Sequence, residues 1–309
     1  MPAAVTPVTP TAAADWIVVP GRQPDRSFRY WIVAPAILVL LLIGIFPLVY
    51  SLIVSFQNVT MMEDDTSFSG LINYQRLFVD SRLWQSLLHT ALITAIALPV
   101  ELLLGLAMAH LFLEKLPGRQ VFIALLVLPT VISPIVAGAT WRLMFDNQYG
   151  PINQILGWIW GAPVTALWTV DPNLVYVAIL ICEVWQWTPF MFLILLAALS
   201  NVDRSQMESA EIDGAGFWMT FRRIVLPAIW PVMAIAILIR GLDLVRIFDI
   251  IWALTQGGPG TMTETISVYT YVQGFRQFEI SYTAAIAFLV IVILTIIVIA
   301  AIRRMGLAK

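Results

Sequence analysis

Six ionisable side chains lie inside stretches of the chain that are otherwise strongly apolar. They are Glu101, Glu183, Arg240, Asp243, Arg246 and Asp249. A charge at the centre of a lipid bilayer costs about 2.5–3.5 kcal/mol on insertion scales, so such residues usually face a bundle interior or a water-filled cavity. The last four alternate in sign at three-residue steps, which predicts pairing along one helix face. Two interpretations stay open: a self-neutralising ladder, or a set that partly lines a solute cavity.

Aromatic and amide side chains surround Glu183 in the sequence. The group comprises Trp185, Gln186, Trp187 and Phe190. Sugars and polyols need a hydrogen-bond partner for each hydroxyl and an apolar platform for each C–H face, and this mixture supplies both. Arg240 and Arg246 offer a second chemistry, because guanidinium groups bind phosphate or sulfonate, although acidic neighbours are present to neutralise them.

Other chemistries find little support in the sequence. His89 and His110 have no second histidine or cysteine at metal-binding spacing, so no metal site is expected. The glycine-rich segment 257–260 lacks the Lys-Ser/Thr that follows a phosphate-binding loop. No catalytic constellation, no cofactor site and no basic patch for nucleic acid is evident, and the single Cys182 cannot form an intrachain disulfide. The sequence therefore predicts a protein that is not an enzyme.

The elements that position these residues are predicted to be membrane-spanning helices. Sixty per cent of the residues are apolar, 12% are charged and the mean hydropathy is +0.87, far from the composition of a soluble domain. Six runs are long enough to cross about 30 Å of hydrocarbon, namely Tyr30–Phe56, Ser86–Leu113, Val121–Phe145, Leu174–Leu199, Pro227–Leu254 and Ser281–Ile302. We expect an all-α polytopic membrane protein, with a six-helix transmembrane domain at residues 30–309 after a disordered cytoplasmic tail at residues 1–29.

The distribution of basic residues predicts the orientation. With the tail in the cytoplasm, eleven of the 17 basic residues lie inside: Arg22, Arg26, Arg29, Lys115, Arg119, Arg204, Arg222, Arg223, Arg303, Arg304 and Lys309. Only Arg76, Arg82 and Arg276 then lie outside. Because basic residues concentrate in cytoplasmic loops, both termini are expected to be cytoplasmic.

The polar break at residues 200–226, hereafter the 200–226 loop, is the most distinctive feature of the sequence. Its apolar residues recur at three- and four-residue steps, which predicts an amphipathic helix. Asp213 and Gly214 interrupt that pattern, so two short surface helices with a bend between them are expected. Pro227 suits the first turn of the fifth span, where a missing N–H costs nothing.

This loop resembles the coupling loop of bacterial ABC-importer permeases. The family pattern E-A-A, three residues, G, nine residues, I, one residue, L-P is matched from Glu208 to Pro227, with Ser209 in place of the middle alanine. The resemblance implies a type I ABC importer permease in the bacterial cytoplasmic (inner) membrane. It also implies that Glu208, Ala210, Asp213 and Gly214 contact an ATPase subunit, with Glu208 paired to one of its basic residues.

A second resemblance concerns the solute. Segments 141–153, 183–190 and 246–259 are similar to signatures of the maltose-type permeases, which import oligosaccharides, polyols and glycerol phosphates. The resemblance places seven residues at or near the solute: Glu183, Gln186, Trp187, Phe190, Arg240, Leu244 and Ile247. Asp243, from the charged ladder on the fifth span, is the eighth candidate for solute binding. Leu244 and Ile247 are apolar where the maltose permease carries amides, which argues against a maltose-like pose.

The resemblance also implies partners. They are an ATPase dimer that holds ATP and Mg²⁺, a second and different permease, an extracytoplasmic solute-binding protein, membrane lipid and a sugar-class solute. The rival hypothesis is a proton- or sodium-coupled secondary transporter of a polar solute, in which Glu101, Glu183 and Asp243 act as relays. Such a protein would work without an ATPase.

Overall fold

The described part of the chain is helical. The computed structural model describes residues 26–60, 66–114 and 117–306, and within these ranges the β-structure is a single isolated bridge between Gln57 and Phe68. The α-helices are α1 Arg26–Leu40, α2 Phe46–Ser55, α3 Ile72–Val79, α4 Ser81–Leu111, α5 Arg119–Val131, α6 Pro134–Met144, α7 Pro151–Trp160, α8 Leu174–Ser200, α9 Arg204–Ile212, α10 Phe217–Thr220, α11 Leu226–Val245, α12 Asp249–Leu254, α13 Ile266–Tyr271 and α14 Ile280–Arg304. Short π-helical segments join α1 to α2 at Leu41–Ile45 and α10 to α11 at Phe221–Val225, and a third extends α13 at Val272–Arg276. The all-α prediction is confirmed.

Five helices among the described residues are long and apolar enough to cross a membrane. They are Tyr30–Ser55, Ser81–Leu111, Leu174–Ser200, Phe217–Val245 and Ile280–Arg304. A sixth span is obtained when α5 and α6, which meet at an angle of 96°, count as one. The third predicted span is therefore present as two helices with a sharp bend between them. Pro134 explains the break, because a residue before proline is pushed out of the helical region. Ser133 has a non-helical ψ of 134°, and Ile132 before it is extended.

The fifth span departs from the prediction of one helix from Pro227 to Leu254. It begins earlier, at Phe217, and passes through the π-helical segment that precedes Pro227, a residue without an N–H to donate. The expected second surface helix is therefore the start of this span. At its other end α11 stops at Val245, and α12 begins only at Asp249.

The chain divides into two compact units, the first of which ends at Tyr50. Its described part is an apolar helix that begins at Arg26, inside the segment predicted to be a disordered tail, and the rest of that predicted tail lies outside the described residues. The side chains from Tyr30 to Tyr50 are exposed. Exposed apolar side chains along a helix of this length suit contact with lipid.

The second unit, from Ser51 onward, is organised around α4, α8 and α11. A buried cluster that includes Met191, Phe192 and Ile229 joins the three helices. α4 and α8 approach so closely at Gly105 that a Cβ there would lie 2.7 Å from the Cβ of Met191. This packing brings the ionisable residues of three different spans to one level of the bundle.

Candidate functional site

A buried ion network lies between α4, α8 and α11. The Arg240 guanidinium, whose side chain is 2% exposed, donates through Nε to Glu101 Oε2 at 2.7 Å and through Nη2 to Glu101 Oε1 at 3.0 Å. Nη2 also donates to Glu183 Oε1, and the guanidinium lies 4.7 Å from the ring centroid of Trp187. Fork-to-fork hydrogen bonds of this kind are among the strongest in proteins. One arginine thus binds two carboxylates from two neighbouring helices.

The predicted charge ladder on the fifth span is only partly correct. Asp243 and Arg246 do pair, with Arg246 Nη2 2.8 Å from Asp243 Oδ1. Arg240, however, pairs with Glu101 and Glu183 rather than with Asp243, because tertiary packing places those carboxylates against it. Asp249 begins α12, beyond the break in the span, and so does not continue the same helix face.

A cavity of about 320 Å³ opens beside this network. Its lining residues are Pro134, Glu183, Trp187, Arg240, Asp243, Arg246, Ile247, Phe248, Asp249 and Ile250. Five of the eight residues predicted to lie near a solute are among them: Glu183, Trp187, Arg240, Asp243 and Ile247. The breaks in the third and fifth spans also meet here, through Pro134 and the segment 246–249. Unwound backbone at membrane depth is tolerated where it lines a cavity.

The other three predicted residues lie beside the cavity rather than on its wall. Gln186 is buried and donates through Nε2 to the carbonyl of Ile132 at 2.8 Å, so it binds a backbone group at the break of the third span. Phe190 packs its ring edge-on against Trp187 and joins the apolar core. Leu244 is completely buried. Gln186, Phe190 and Leu244 therefore support the side chains that line the cavity.

Two buried oxygen atoms at this site have no hydrogen-bond partner among the described residues. They are Glu183 Oε2 and Gln186 Oε1. Buried polar atoms are nearly always hydrogen-bonded, and each of these can only accept while its side chain is a carboxylate or an amide. Because both atoms are enclosed by protein, neither is open to a solute in this conformation.

The 200–226 loop forms a separate feature at the end of the bundle where α4 finishes. Helix α9 begins with Asp203, whose side chain accepts a hydrogen bond from the Ser205 N–H at 2.9 Å. Glu208 lies on the exposed surface of this helix, whereas Ala210 is buried against the bundle. The prediction of a short amphipathic helix here is confirmed.

The expected bend follows α9 directly. Asp213 caps the helix and is exposed, and Gly214 has a φ of +75°, a conformation that side chains other than glycine rarely adopt. No atom lies within 4 Å of the position that a Cβ at Gly214 would take. The bend therefore leaves room for another surface to approach the backbone.

Neither histidine lines the cavity beside Arg240, and His110 contacts the 200–226 loop through its ring. His89 Nδ1 lies 3.2 Å from the carbonyl oxygen of Glu264, and the His110 ring packs edge-on against Phe217. Within the ranges that the structure describes, no group of three or more His, Cys, Asp or Glu residues is placed to hold a metal ion.

A polar cluster that the sequence analysis missed lies at the start of α4. Asp80 caps the helix by accepting from the N–H groups of Arg82 and Leu83, and it also accepts from the hydroxyls of Tyr269 and Tyr282. Burial alone would raise the pKa of Asp80, but these hydrogen bonds lower it below its ordinary value. Tyr269 and Tyr282 are 189 and 202 positions from Asp80 in the chain, and no local pattern signals such contacts.

Nearby ion pairs reinforce this end of the bundle. Arg82 binds Glu264 through two hydrogen bonds of 2.8 and 2.9 Å, and Arg76 pairs with Glu279 at 2.6 Å. A helix of 31 residues such as α4 is about 46 Å long. The Asp80 cluster and the 200–226 loop therefore lie at opposite ends of the bundle, with the Arg240 network between them.

Broken apolar spans around a polar cavity, with an exposed helix between two spans, define a polytopic membrane transport subunit. The family described as binding-protein-dependent transport system inner membrane component matches residues 81–305, and the chain belongs to this family. It is 34% identical to the trehalose/maltose transport system permease protein MalF of Thermococcus litoralis, over 81% of this chain and 84% of that protein. It is 33% identical to the trehalose transport system permease protein SugA of Mycobacterium tuberculosis, over 96% and 95% respectively.

A solved structure shares the fold. A chain of the bacterial alginate ABC transporter, crystallised with an alginate pentasaccharide-bound periplasmic protein, superposes with a TM-score of 0.75 at 22% identity, covering 89% of this chain and 92% of that one. The chain is thus an inner-membrane permease subunit of a sugar-class ABC importer, and its architecture is that of the ABC importer permeases. The comparisons give no support to a secondary transporter.

Proposed function

We propose that an ATPase dimer, which holds ATP and Mg²⁺ on a separate chain, drives this subunit through Glu208. The exposed position of Glu208 on α9, between two spans, is the observation that carries the proposal. Because Ala210 and Met207 fix the other face of α9 against the bundle, a force on the helix reaches the fifth span through α10. A charge-assisted hydrogen bond to a basic residue of the ATPase would contribute about 1.5–3 kcal/mol.

We further propose that the solute binds to this subunit in the cavity beside Arg240. The named relatives handle trehalose and maltose, which supports a sugar or polyol as the solute. Closure of the ATPase dimer favours the outward-open form, in which a solute-binding protein delivers the solute, and hydrolysis resets the inward-open form. The ATPase and the solute-binding protein each shift the equilibrium between the two forms only by the difference in their affinity for those forms.

Further partners complete the assembly. A second, different permease provides the remaining wall of the pathway, and the 200–226 loop faces the cytoplasm together with both termini. The concentration of arginines near the ends of α9, α10 and α14 supports this orientation.

A charge reversal tests the coupling role. In proteoliposomes that contain the whole transporter, Glu208→Lys is expected to abolish ATP-driven uptake while the chain still inserts into the membrane. Glu211→Lys, which reverses an exposed charge on the same helix, is the matched control and is expected to retain most uptake. Normal uptake by the Glu208→Lys transporter would contradict the proposal.

A second substitution tests the solute site. Trp187→Ala removes an aromatic wall of the cavity, so it should reduce uptake while the ATPase still co-purifies with the permease. Trp158→Ala, which truncates an exposed side chain outside the cavity, serves as the control. Equal uptake by both variants would place the solute elsewhere.

A further inference from the structure

We infer that the cavity beside Arg240 selects an uncharged, polyhydroxylated solute and disfavours a phosphate, sulfonate or carboxylate on that solute. This inference rests on the proposed function, because it assumes that the solute passes through this cavity. It goes further by assigning a charge class to the solute.

Both arginines of the cavity are already neutralised by carboxylates. Arg240 is held by Glu101 and Glu183, and it is too deeply buried to swing toward a new partner. Arg246 is more exposed, at 67% of its side-chain surface, but it pairs with Asp243 at 2.8 Å. An anionic solute would have to displace a carboxylate from one of these guanidinium groups before it could bind there.

The formal charge of the cavity wall is negative. Its lining contains two cations, Arg240 and Arg246, and three anions, Glu183, Asp243 and Asp249, which gives a net charge of −1. Glu101 lies directly behind Arg240 and adds a further negative charge. An anion that enters this site therefore meets repulsion, and like charges brought together in a desolvated site cost several kcal/mol.

The hydrogen-bonding groups left over are acceptors. Asp249 lines the cavity, is exposed and has no ion-pair partner among the described residues, and Asp243 binds Arg246 through Oδ1 alone. Hydroxyl groups can donate to them, whereas a phosphate or sulfonate oxygen brings only further acceptors. Trp187 and Phe248 add the aromatic surface on which the C–H face of a sugar ring packs. The wall thus complements a neutral glycan.

The test uses the whole transporter, with its ATPase, partner permease and solute-binding protein, in proteoliposomes. Uptake is measured for a panel of disaccharides and polyols, each supplied beside its phosphate or sulfonate derivative. We expect uptake of a neutral member, and uptake of its anionic counterpart at least about tenfold slower. Uptake of an anionic member at an equal or higher rate would overturn the inference. If ATP drives uptake of no member of the panel, the proposed function itself fails.

A variant separates the cavity from the solute-binding protein as the source of selectivity. Asp243→Asn removes the ion-pair partner of Arg246, so that Arg246 can bind an anion. The ratio of anionic to neutral uptake is then expected to rise about two- to fivefold, which corresponds to the free energy of a partly exposed ion pair. Asp171→Asn, which removes a negative charge outside the cavity lining, should leave the ratio unchanged. An unchanged ratio with Asp243→Asn would show that selection happens elsewhere and would overturn the inference.

Discussion

Arg240 on α11 and Glu101 on α4, which are 139 positions apart in the sequence, are joined by two hydrogen bonds of 2.7 and 3.0 Å in the interior of the bundle. Neither residue was predicted to pair with the other. A buried ion pair is stabilising only when both charges are matched and their remaining hydrogen-bonding groups are satisfied. Because Arg240 lines the cavity, its pairing with Glu101 behind it fixes one part of the wall that a solute would contact.

Removal of this arginine should destabilise the protein strongly. Arg240→Ala leaves the carboxylates of Glu101 and Glu183 buried without a cation, which is expected to lower the free energy of unfolding by about 3–5 kcal/mol. Arg246→Ala breaks an exposed pair three residues apart and should cost at most about 1 kcal/mol. Denaturant titration of both variants in detergent micelles measures the difference. Equal losses would argue that the buried network contributes little.

The contact of α4 with α8 depends on a glycine. At Gly105 a Cβ would lie 2.7 Å from the Met191 Cβ and 2.9 Å from the Phe192 backbone nitrogen, so Gly105→Ala must push the helices apart. Overpacking of this kind costs about 1–3 kcal/mol. At Gly241 the nearest atom outside the helix is Leu98 Cδ2 at 3.6 Å, so Gly241→Ala should be neutral or slightly stabilising. Thermal unfolding that ranks the two variants in the opposite order would contradict this account.

The bend after α9 depends on backbone conformation rather than on space. Gly214 has a φ of +75°, and an alanine there is strained by about 1–2 kcal/mol although no atom blocks its Cβ. If the proposed coupling surface is correct, Gly214→Ala should weaken binding of the ATPase subunit about five- to thirtyfold.

The neighbouring glycine supplies the control for this experiment. Gly216 has a φ of −71° and equally open space, so Gly216→Ala should bind the ATPase as the wild type does. Binding of immobilised ATPase to the permease in nanodiscs gives both affinities. Identical affinities for the two variants would show that the conformation of this bend does not matter for docking.

The Asp80 cluster predicts a specific sensitivity to acid. Because hydrogen bonds hold the pKa of Asp80 below its ordinary value despite its burial, its contribution to stability is complete above about pH 4 and is lost as the pH falls further. The wild type should therefore lose more thermal stability between pH 7 and pH 3 than Asp80→Asn does. Tyr269→Phe, which removes one donor to Asp80, should show an intermediate loss. Parallel pH profiles for the three proteins would disprove the role of this carboxylate.

Local sequence rules identified most elements of the fold but missed where the fifth span breaks. The apolar runs of α4, α8 and α14 were recognised because a membrane-spanning backbone must satisfy its own hydrogen bonds as a helix. Pro134 is the sequence signal for the first break, at Ser133, whereas the break at residues 246–248 was not foreseen. At the second, no proline or glycine marks the end of α11, so the signal was absent.

The residues that line the cavity were also predicted only in part, because local patterns do not relate distant segments of the chain. Glu183, Trp187 and Arg240 were identified from their residue types and from a family resemblance, and all three line the cavity. Glu101 was noted as a charge inside a span, yet its partner could not be assigned, since helical spacing relates only residues three or four positions apart. The contacts of Asp80 with Tyr269 and Tyr282 were missed for the same reason.

The sequence by itself determined that the chain spans a membrane, which spans carry charge and where an exposed acidic helix lies between two of them. These properties follow from hydropathy, helical periodicity and glycine or proline preferences, all of which act over a few neighbouring residues. Only the tertiary structure decided which carboxylates neutralise Arg240, and thereby which acceptors remain open in the cavity. That choice depends on the close packing of α4, α8 and α11, because contacts between distant segments are set by the shapes of whole helices.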